Sequence, residues 1–270
     1  MSKGHVYFIG AGPGAPDLIT IRGKEIIEKA DVVIYADSLV DQRLCDYARP
    51  DAQVLGSSSL TLEEISRRMI EAAQGRKTVA RLQSGDPSIY GAIHEQIVRL
   101  DDAGVPWTIV PGVSSAFAAA AALGVELTVP EVAQSVIMTR ISGRASAVPP
   151  GEDLRGLAAH GTSLVLFLSV NHVARVVPQL VEGGYPPNTP VAVVHRVTWP
   201  DEEIIRGTLE DVVPKVRAAK WHKQALILVG PVLDSYATAE SRRSRLYSGD
   251  YSHLFRKAEQ TEDAEEVSSR

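Results

Sequence analysis

An apolar run, His5 to Ile9, stops abruptly in Gly10-Ala11-Gly12-Pro13-Gly14. This feature constrains the fold most. A short apolar stretch ended by glycines reads as a strand buried on both faces. The chain then alternates. Helical spacing covers Ile19 to Ala30, with Ile19, Ile26, Ile27 and Ala30 toward one side. Asp31 to Ala36 reads as a second strand. Thr61-Leu62-Glu63-Glu64 is a capping-box pattern that opens a helix running to about Gln74. Thr78 to Leu82 predicts a strand, Gly91 to Ala103 a helix, and Trp107 to Val110 another strand. Short strands alternating with helices predict an α/β fold with a parallel sheet covered on both faces.

The second half keeps the rhythm with different spacing. Ser135 to Ile141 and Ser163 to Leu168 read as strands, and Val173 to Val181 as a helix despite Pro178. Val191 to Val197 and Ile204 to Leu209 form a candidate hairpin around Trp199-Pro200-Asp201-Glu202. Leu209 to Ala219 predicts a helix bent at Pro214, and Ala225 to Val229 a last strand. Hairpin neighbours imply a mixed sheet here. The alanine-rich run Phe117 to Leu123 reads as a tightly packed helix. The expected division is 1–115 and 116–240, both α/β, followed by an extension over 241–270. Gly143 to Gly156, with Pro149 and Pro150, reads as a loop of the kind that carries function. Residues 260–270 are polar, acidic and aperiodic, the signature of a disordered tail.

Composition narrows the function. A net charge of −5 gives no nucleic-acid footprint. No apolar stretch approaches the length of a membrane span, and no secretory signal precedes the first strand. Cys45 is the single cysteine, which excludes an internal disulfide and disfavours a cysteine zinc site. A reduced, cytoplasmic protein is the expectation, and no metal site is expected.

Two further turns follow strands: Ser84-Gly85-Asp86-Pro87-Ser88-Ile89-Tyr90-Gly91 and Pro111-Gly112-Val113-Ser114-Ser115. In a parallel sheet all three turns lie at strand carboxyl ends, where open α/β sheets bind ligands. Taken alone, each is more often a mere connection. Together they predict a backbone-lined pocket for a polar, largely uncharged ligand. Gly10-x-Gly12-x-x-Ala15 formally satisfies the dinucleotide fingerprint, and Asp31 and Asp37 lie near the expected ribose-binding position. An NAD-dependent dehydrogenase is therefore the alternative of a different class. Against it, Pro13 and Pro16 occupy the turn and the helix begins only near Ile19, too late to present its amides to a pyrophosphate. No Walker lysine follows a glycine loop, which disfavours triphosphate hydrolysis.

These turns are also where the chain resembles the tetrapyrrole methyltransferases. The stretches that carry the resemblance are Val6–Thr20, Gly85-Asp86-Pro87, Pro111–Ser115 and Ala225–Gly230, so it spans all but the acidic tail. The family implies two α/β domains unlike the common Rossmann methyltransferases, a homodimer, and S-adenosylmethionine bound between the domains, with S-adenosylhomocysteine as product. Within it, Arg81–Gly91, Thr128–Arg140, Trp199–Leu209 and Ser244–Tyr247 resemble the branch that methylates precorrin-4 at C11 in cobalamin synthesis. The anaerobic counterpart, whose substrate holds cobalt, is very similar. Uroporphyrinogen methyltransferases share the first turn but usually carry a second glycine where this chain has Ser84.

Carried over by motif, the cofactor contacts are Pro13, Gly85, Asp86, Ile89, Ser114, Ser115, Leu168 and Ala225, with Ala192 and Val193 in a less certain register. The tetrapyrrole's carboxylates call for arginines, so Arg81, Arg140, Arg144 and Arg196 are the substrate candidates, with Tyr90 beside them. Surface ion pairing is the commoner role for any one of these arginines. His94 and His195 are the histidines within reach of a base role, and neither is assigned one. A non-catalytic ligand sensor on the same fold is a further reading.

Overall fold

A computed structural model describes residues 4–143, 147–234, 251–252 and 254–257. The chain builds two five-stranded sheets in succession. The first uses β1 (His5–Gly10), β2 (Val32–Tyr35), β3 (Gln53–Gly56), β4 (Thr78–Gln83) and β5 (Trp107–Val110), interleaved with helices α1 (Ile21–Lys29), α2 (Leu62–Gln74) and α3 (His94–Asp102). All its pairings are parallel, in the order β3-β2-β4-β1-β5.

Side-chain alternation feeds two cores. Val6 and Phe8 of β1 join Val32 and Ile34 against Ile65 and Met69 of α2 and Leu100 of α3. Ile9, Val33 and Leu82 point the other way, onto Ile27 of α1 and Leu44. Burial of each such large side chain stabilises by about 1.5–3 kcal/mol. The Thr61 capping box forms in full, with Glu64 Nα donating to Thr61 Oγ1 at 3.2 Å and Thr61 Nα donating to Glu64 Oε2 at 2.8 Å. β3 escapes the sequence pattern because it is an edge strand with no fully buried residue.

The second sheet follows α4 (Ser115–Leu123) and holds β6 (Val136–Thr139), α5 (Leu154–Ala158), β7 (Ser163–Leu166), α6 (Val173–Glu182), β8 (Pro190–His195), β9 (Glu203–Thr208), α7 (Val212–Ala219) and β10 (Ala225–Val229). Its order is β6-β7-β10-β8-β9, parallel only between β6 and β7. Helices α5, α6 and α7 cover one face, through Leu154, Val176, Leu180 and Val216. α4 covers the other, laying Ala116, Ala119 and Leu123 on Val165, Ala192 and Leu226. Alanines let that helix sit close to the strands, as its composition predicts.

Two local expectations change. Pro214 is the third residue of α7, where a backbone N–H has no intrahelical acceptor, so it need not bend the helix. Gly143 to Gly156 is not all loop: Asp153 accepts from Gly156 Nα at 3.0 Å and starts α5 inside it. No helix among the described residues is long and apolar enough to cross a membrane. Residues 241–250 and the acidic 260–270 segment lie outside the described residues, and so does Ser244–Tyr247.

Candidate active site

β4, β1 and β5 are adjacent, and their ends are nearly flush: Gly10 faces Gln83, and Ile9 faces Val110. The three glycine turns therefore emerge side by side. Gly12 and Gly85 exchange backbone hydrogen bonds, 3.2 and 2.8 Å long, as an isolated antiparallel bridge. Both sit at positive φ, +79° and +65°, where glycine is favoured. Gly10 and Gly112 pack backbone to backbone. A Cβ on Gly112 would lie 2.3 Å from the Gly85 carbonyl oxygen and 2.6 Å from Gly10 Cα. Asp86 stitches the last two turns. Its Oδ2 accepts from Gly112 Nα at 2.9 Å, and its Oδ1 accepts from Ser88 Nα at 2.8 Å and from the Ser88 hydroxyl. Partial burial pushes the carboxyl pKa up, but the Ser88 hydroxyl and the two amides outweigh it and hold it below the ordinary value.

Beyond these turns lies a cavity of about 300 Å³ between the two sheets. The first domain supplies Pro13, Gly85, Asp86, Ile89, Ser114 and Ser115, and the second supplies Leu168 and Ala225. Tyr90 and Arg196 also line it. Ser114 caps α4 by accepting from Ala116 Nα at 3.3 Å; its hydroxyl proton is still available to another acceptor. Tyr90 meets Phe167 across the domains with ring centroids 5.2 Å apart. Burial, the largest influence, raises the Tyr90 phenol's pKa, and the charge of Arg140 opposes it.

Strain gathers here. Tyr90, Leu168, Arg196, Thr198 and Gln224 all adopt left-handed backbone, with φ between +48° and +66°. Such residues cost of order 1–3 kcal/mol each and cluster at functional sites. Leu168 stands out, at φ +53° and 66 % exposed. It lies two residues past the end of β7, not on the strand itself.

Other candidates move away. Ala192 and Val193 are 1 % and 0 % exposed and packed into opposite cores, while their neighbour Val194 lines the cavity. A shift of one residue along a strand turns a side chain to the other face. Arg81 is buried within the first domain. Its guanidinium donates to Ser57 Oγ at 3.0 Å, Gln96 Oε1 at 3.3 Å and the Ile34 carbonyl at 3.5 Å. Burial pushes its pKa down to about 10, with Asp37 opposing, so it stays charged at neutral pH. It does not line the cavity. Arg140 stands off the cavity, donating to the Ala147 carbonyl at 3.4 Å. Arg144 lies outside the described residues. His94 is exposed at the start of α3. His195 stacks on Trp221 at 4.9 Å, and its buried Nδ1 has no hydrogen-bond partner. The histidine that does line the cavity, His222, carries no signature in the sequence; its Nδ1 lies 3.2 Å from Asn171 Oδ1. Trp199 and Gln224 were also missed, since turn residues of the second domain carry no glycine signature.

Cys45 is half-buried, and burial raises its thiol pKa to about 11. It behaves as a small hydrophobe against α1.

Residues 5–213 match the family described as Tetrapyrrole (Corrin/Porphyrin) Methylases. A cobalt-precorrin-4 C(11)-methyltransferase of Methanocaldococcus jannaschii is 50 % identical over 253 residues, 94 % of this chain and 96 % of that one. A precorrin-4 C(11)-methyltransferase of Pseudomonas aeruginosa is 47 % identical over 254 residues, 94 % and 99 % of the two chains. Among solved structures, a cobalt precorrin-4 methyltransferase superposes with TM-score 0.83 at 47 % identity, over 85 % of this chain and 96 % of that one. The uroporphyrin-III C-methyltransferase of Thermus thermophilus, complexed with S-adenosylhomocysteine, gives 0.71 at 31 % identity, over 86 % and 99 %. This chain belongs to the tetrapyrrole methylases, a family of methyltransferases. The dinucleotide reading of the first turn is set aside on the same grounds as in the sequence, since α1 begins only at Ile21.

Proposed function

We propose that the chain transfers a methyl group from S-adenosylmethionine to C11 of precorrin-4, giving precorrin-5, and that the cavity between the sheets holds the cofactor. One observation carries the reading. Three turns from adjacent strand ends meet a strained second-domain wall, in a chain of this family. The lining suits the cofactor. It is largely apolar, with backbone and hydroxyl groups at the turns, and Asp86 is its one carboxylate among the described residues. A cationic nucleoside ligand finds there a single ionised acceptor with one lone pair to spare, on Oδ2.

Bound S-adenosylmethionine supplies an electrophilic methyl on a positively charged sulfur. The protein's part is alignment. The Asp86 stitch and the Gly10–Gly112 contact fix one wall, and Phe167 and Leu168 line the other. Holding two reactants in line recovers about 7–11 kcal/mol of a bimolecular barrier. Arg140 is our assignment for a tetrapyrrole carboxylate; its charge acts on Tyr90 at the cavity. We divide the domains between 115 and 116, just inside the start of α4, whose residues from Ala116 onward pack on the second sheet. We also infer a homodimer, in keeping with Ile109 on the edge strand β5 and Phe117 on α4, 39 % and 57 % exposed. Light scattering is expected to return twice the chain mass of 29.1 kDa; a monomer at micromolar concentration contradicts this.

The relative at 50 % identity carries the cobalt name, which favours the cobalt-containing substrate as second reading. Titration calorimetry with S-adenosylhomocysteine and with NAD tests the site. Binding of the first and not the second is expected; the reverse overturns the proposal. Turnover with metal-free and cobalt-loaded substrate then ranks the two readings.

A further inference from the structure

The turn that joins β8 to β9 reaches across to the first glycine turn. Trp199 Nε1 donates to the Pro13 carbonyl at 3.2 Å, and Ala15 Nα donates to Thr198 Oγ1 at 2.9 Å. Gly14 lies between these bonds, and its backbone is outside the left-handed region. What forbids a side chain there is the neighbour. A Cβ on Gly14 would lie 2.3 Å from Trp199 Cδ1, 2.5 Å from Trp199 Nε1 and 3.0 Å from Thr198 Oγ1. Gly14 is a glycine for the sake of an indole in the other domain.

The indole is itself held. The Arg196 guanidinium lies 4.2 Å from the Trp199 ring. Arg196 Nε donates to Asp201 Oδ1 at 2.7 Å, and Arg196 donates to Gln224 Oε1 at 3.0 Å. Gln224 Nε2 donates to the Ser38 carbonyl at 3.2 Å, back in the first domain. The turn's backbone is equally fixed. Thr198 Nα donates to Glu202 Oε2 at 2.6 Å, Arg196 Nα to the Gln224 carbonyl at 2.8 Å, and Trp199 Nα to the Arg196 carbonyl at 2.9 Å. Arg196 and Thr198 hold φ of +48° and +66° within this frame.

We propose that Trp199, seated on Gly14 and backed by Arg196, is a positioning residue that sets the Pro13 wall of the cofactor cavity. Arg196 acts through the indole and not as a fork for a substrate carboxylate. The inference rests on the cavity being the cofactor site. It adds that cofactor affinity depends on a size-matched contact between the domains.

A double-mutant cycle read by S-adenosylhomocysteine calorimetry tests it, since residues in contact are non-additive. Gly14→Ala is expected to weaken binding tenfold or more, and Trp199→Ala several-fold. In the Trp199→Ala background, Gly14→Ala is expected to cost less than twofold, because the two contacts under 3 Å are gone and only the Thr198 hydroxyl, at 3.0 Å, has to give. Additive losses overturn the proposal. Trp199→Phe guards against a misfolded Gly14 variant: it keeps bulk but loses the N–H, so several-fold weakening is expected, and unchanged affinity contradicts the Pro13 contact. Arg196→Ala is expected to raise the dissociation constant of S-adenosylhomocysteine with little change in KM for the tetrapyrrole; the opposite split makes Arg196 a substrate ligand and sinks its place in the clamp. Wild-type protein that fails to bind S-adenosylhomocysteine at all refutes the cavity assignment itself, a result distinct from any of these.

Discussion

Leu168 holds a conformation that leucine avoids, with two-thirds of its surface exposed. A side chain placed this way gains little from burial, so its left-handed backbone is a net cost to the fold. Leu168→Gly removes that cost while raising unfolded-state entropy. Urea unfolding is expected to show stability unchanged within about 1 kcal/mol, while S-adenosylhomocysteine affinity falls several-fold. A large stability loss with intact affinity contradicts a ligand role. His195 is a second residue-scale case. Burial, aided by Arg196, lowers its pKa below 6.5, and its Nδ1 is buried without a partner. The folded state therefore binds its proton more weakly than the unfolded state. Stability is expected to fall as pH drops below 6.5 and to level off once pH passes the folded pKa. His195→Phe is expected to flatten the part of this decline that lies above the carboxylate range, measured by thermal unfolding from pH 7 to 5. An unaltered slope assigns the decline elsewhere.

At the scale of elements, the site is a product of strand order. β1 lies between β4 and β5, so turns separated by roughly 25 to 100 residues become neighbours. Asp86 then joins two of them. Asp86→Ala leaves the part-buried Gly112 amide and the exposed Ser88 amide without that acceptor, a loss of about 0.5–1.5 kcal/mol for each hydrogen bond. Affinity for S-adenosylhomocysteine is expected to drop at least tenfold, while Asp86→Asn retains part of it. Equal affinity in all three proteins contradicts the stitch. The glycine turns were legible in the sequence because conformation and close approach leave few residues able to serve there. The second-domain wall was not. Leu168, Gln224 and Trp199 are ordinary residue types whose importance comes from left-handed backbone or from a partner in the other domain. Arg81 shows the reverse error: an arginine beside a glycine turn reads as a ligand, yet it lies on the strand face turned to α2 and α3, where Ser57 and Gln96 satisfy it. Ala192 and Val193 missed the wall by the step of one residue that separates the faces of a strand.

The whole molecule is two sheets closed on a shared cavity, and contacts between them ring it: Trp199 on Pro13, Thr198 on Ala15, Gln224 on Ser38 and Tyr90 on Phe167. In the function we propose, this cavity presents a methyl donor to a tetrapyrrole carbon. The most direct test is turnover of precorrin-4 with S-adenosylmethionine carrying a ¹³C methyl group, followed by carbon NMR of the product. One enriched methyl signal bonded to C11 is expected, with S-adenosylhomocysteine released in equal amount. A protein that binds S-adenosylhomocysteine yet transfers no label to either the metal-free or the cobalt substrate, or that labels another carbon, contradicts the proposed function.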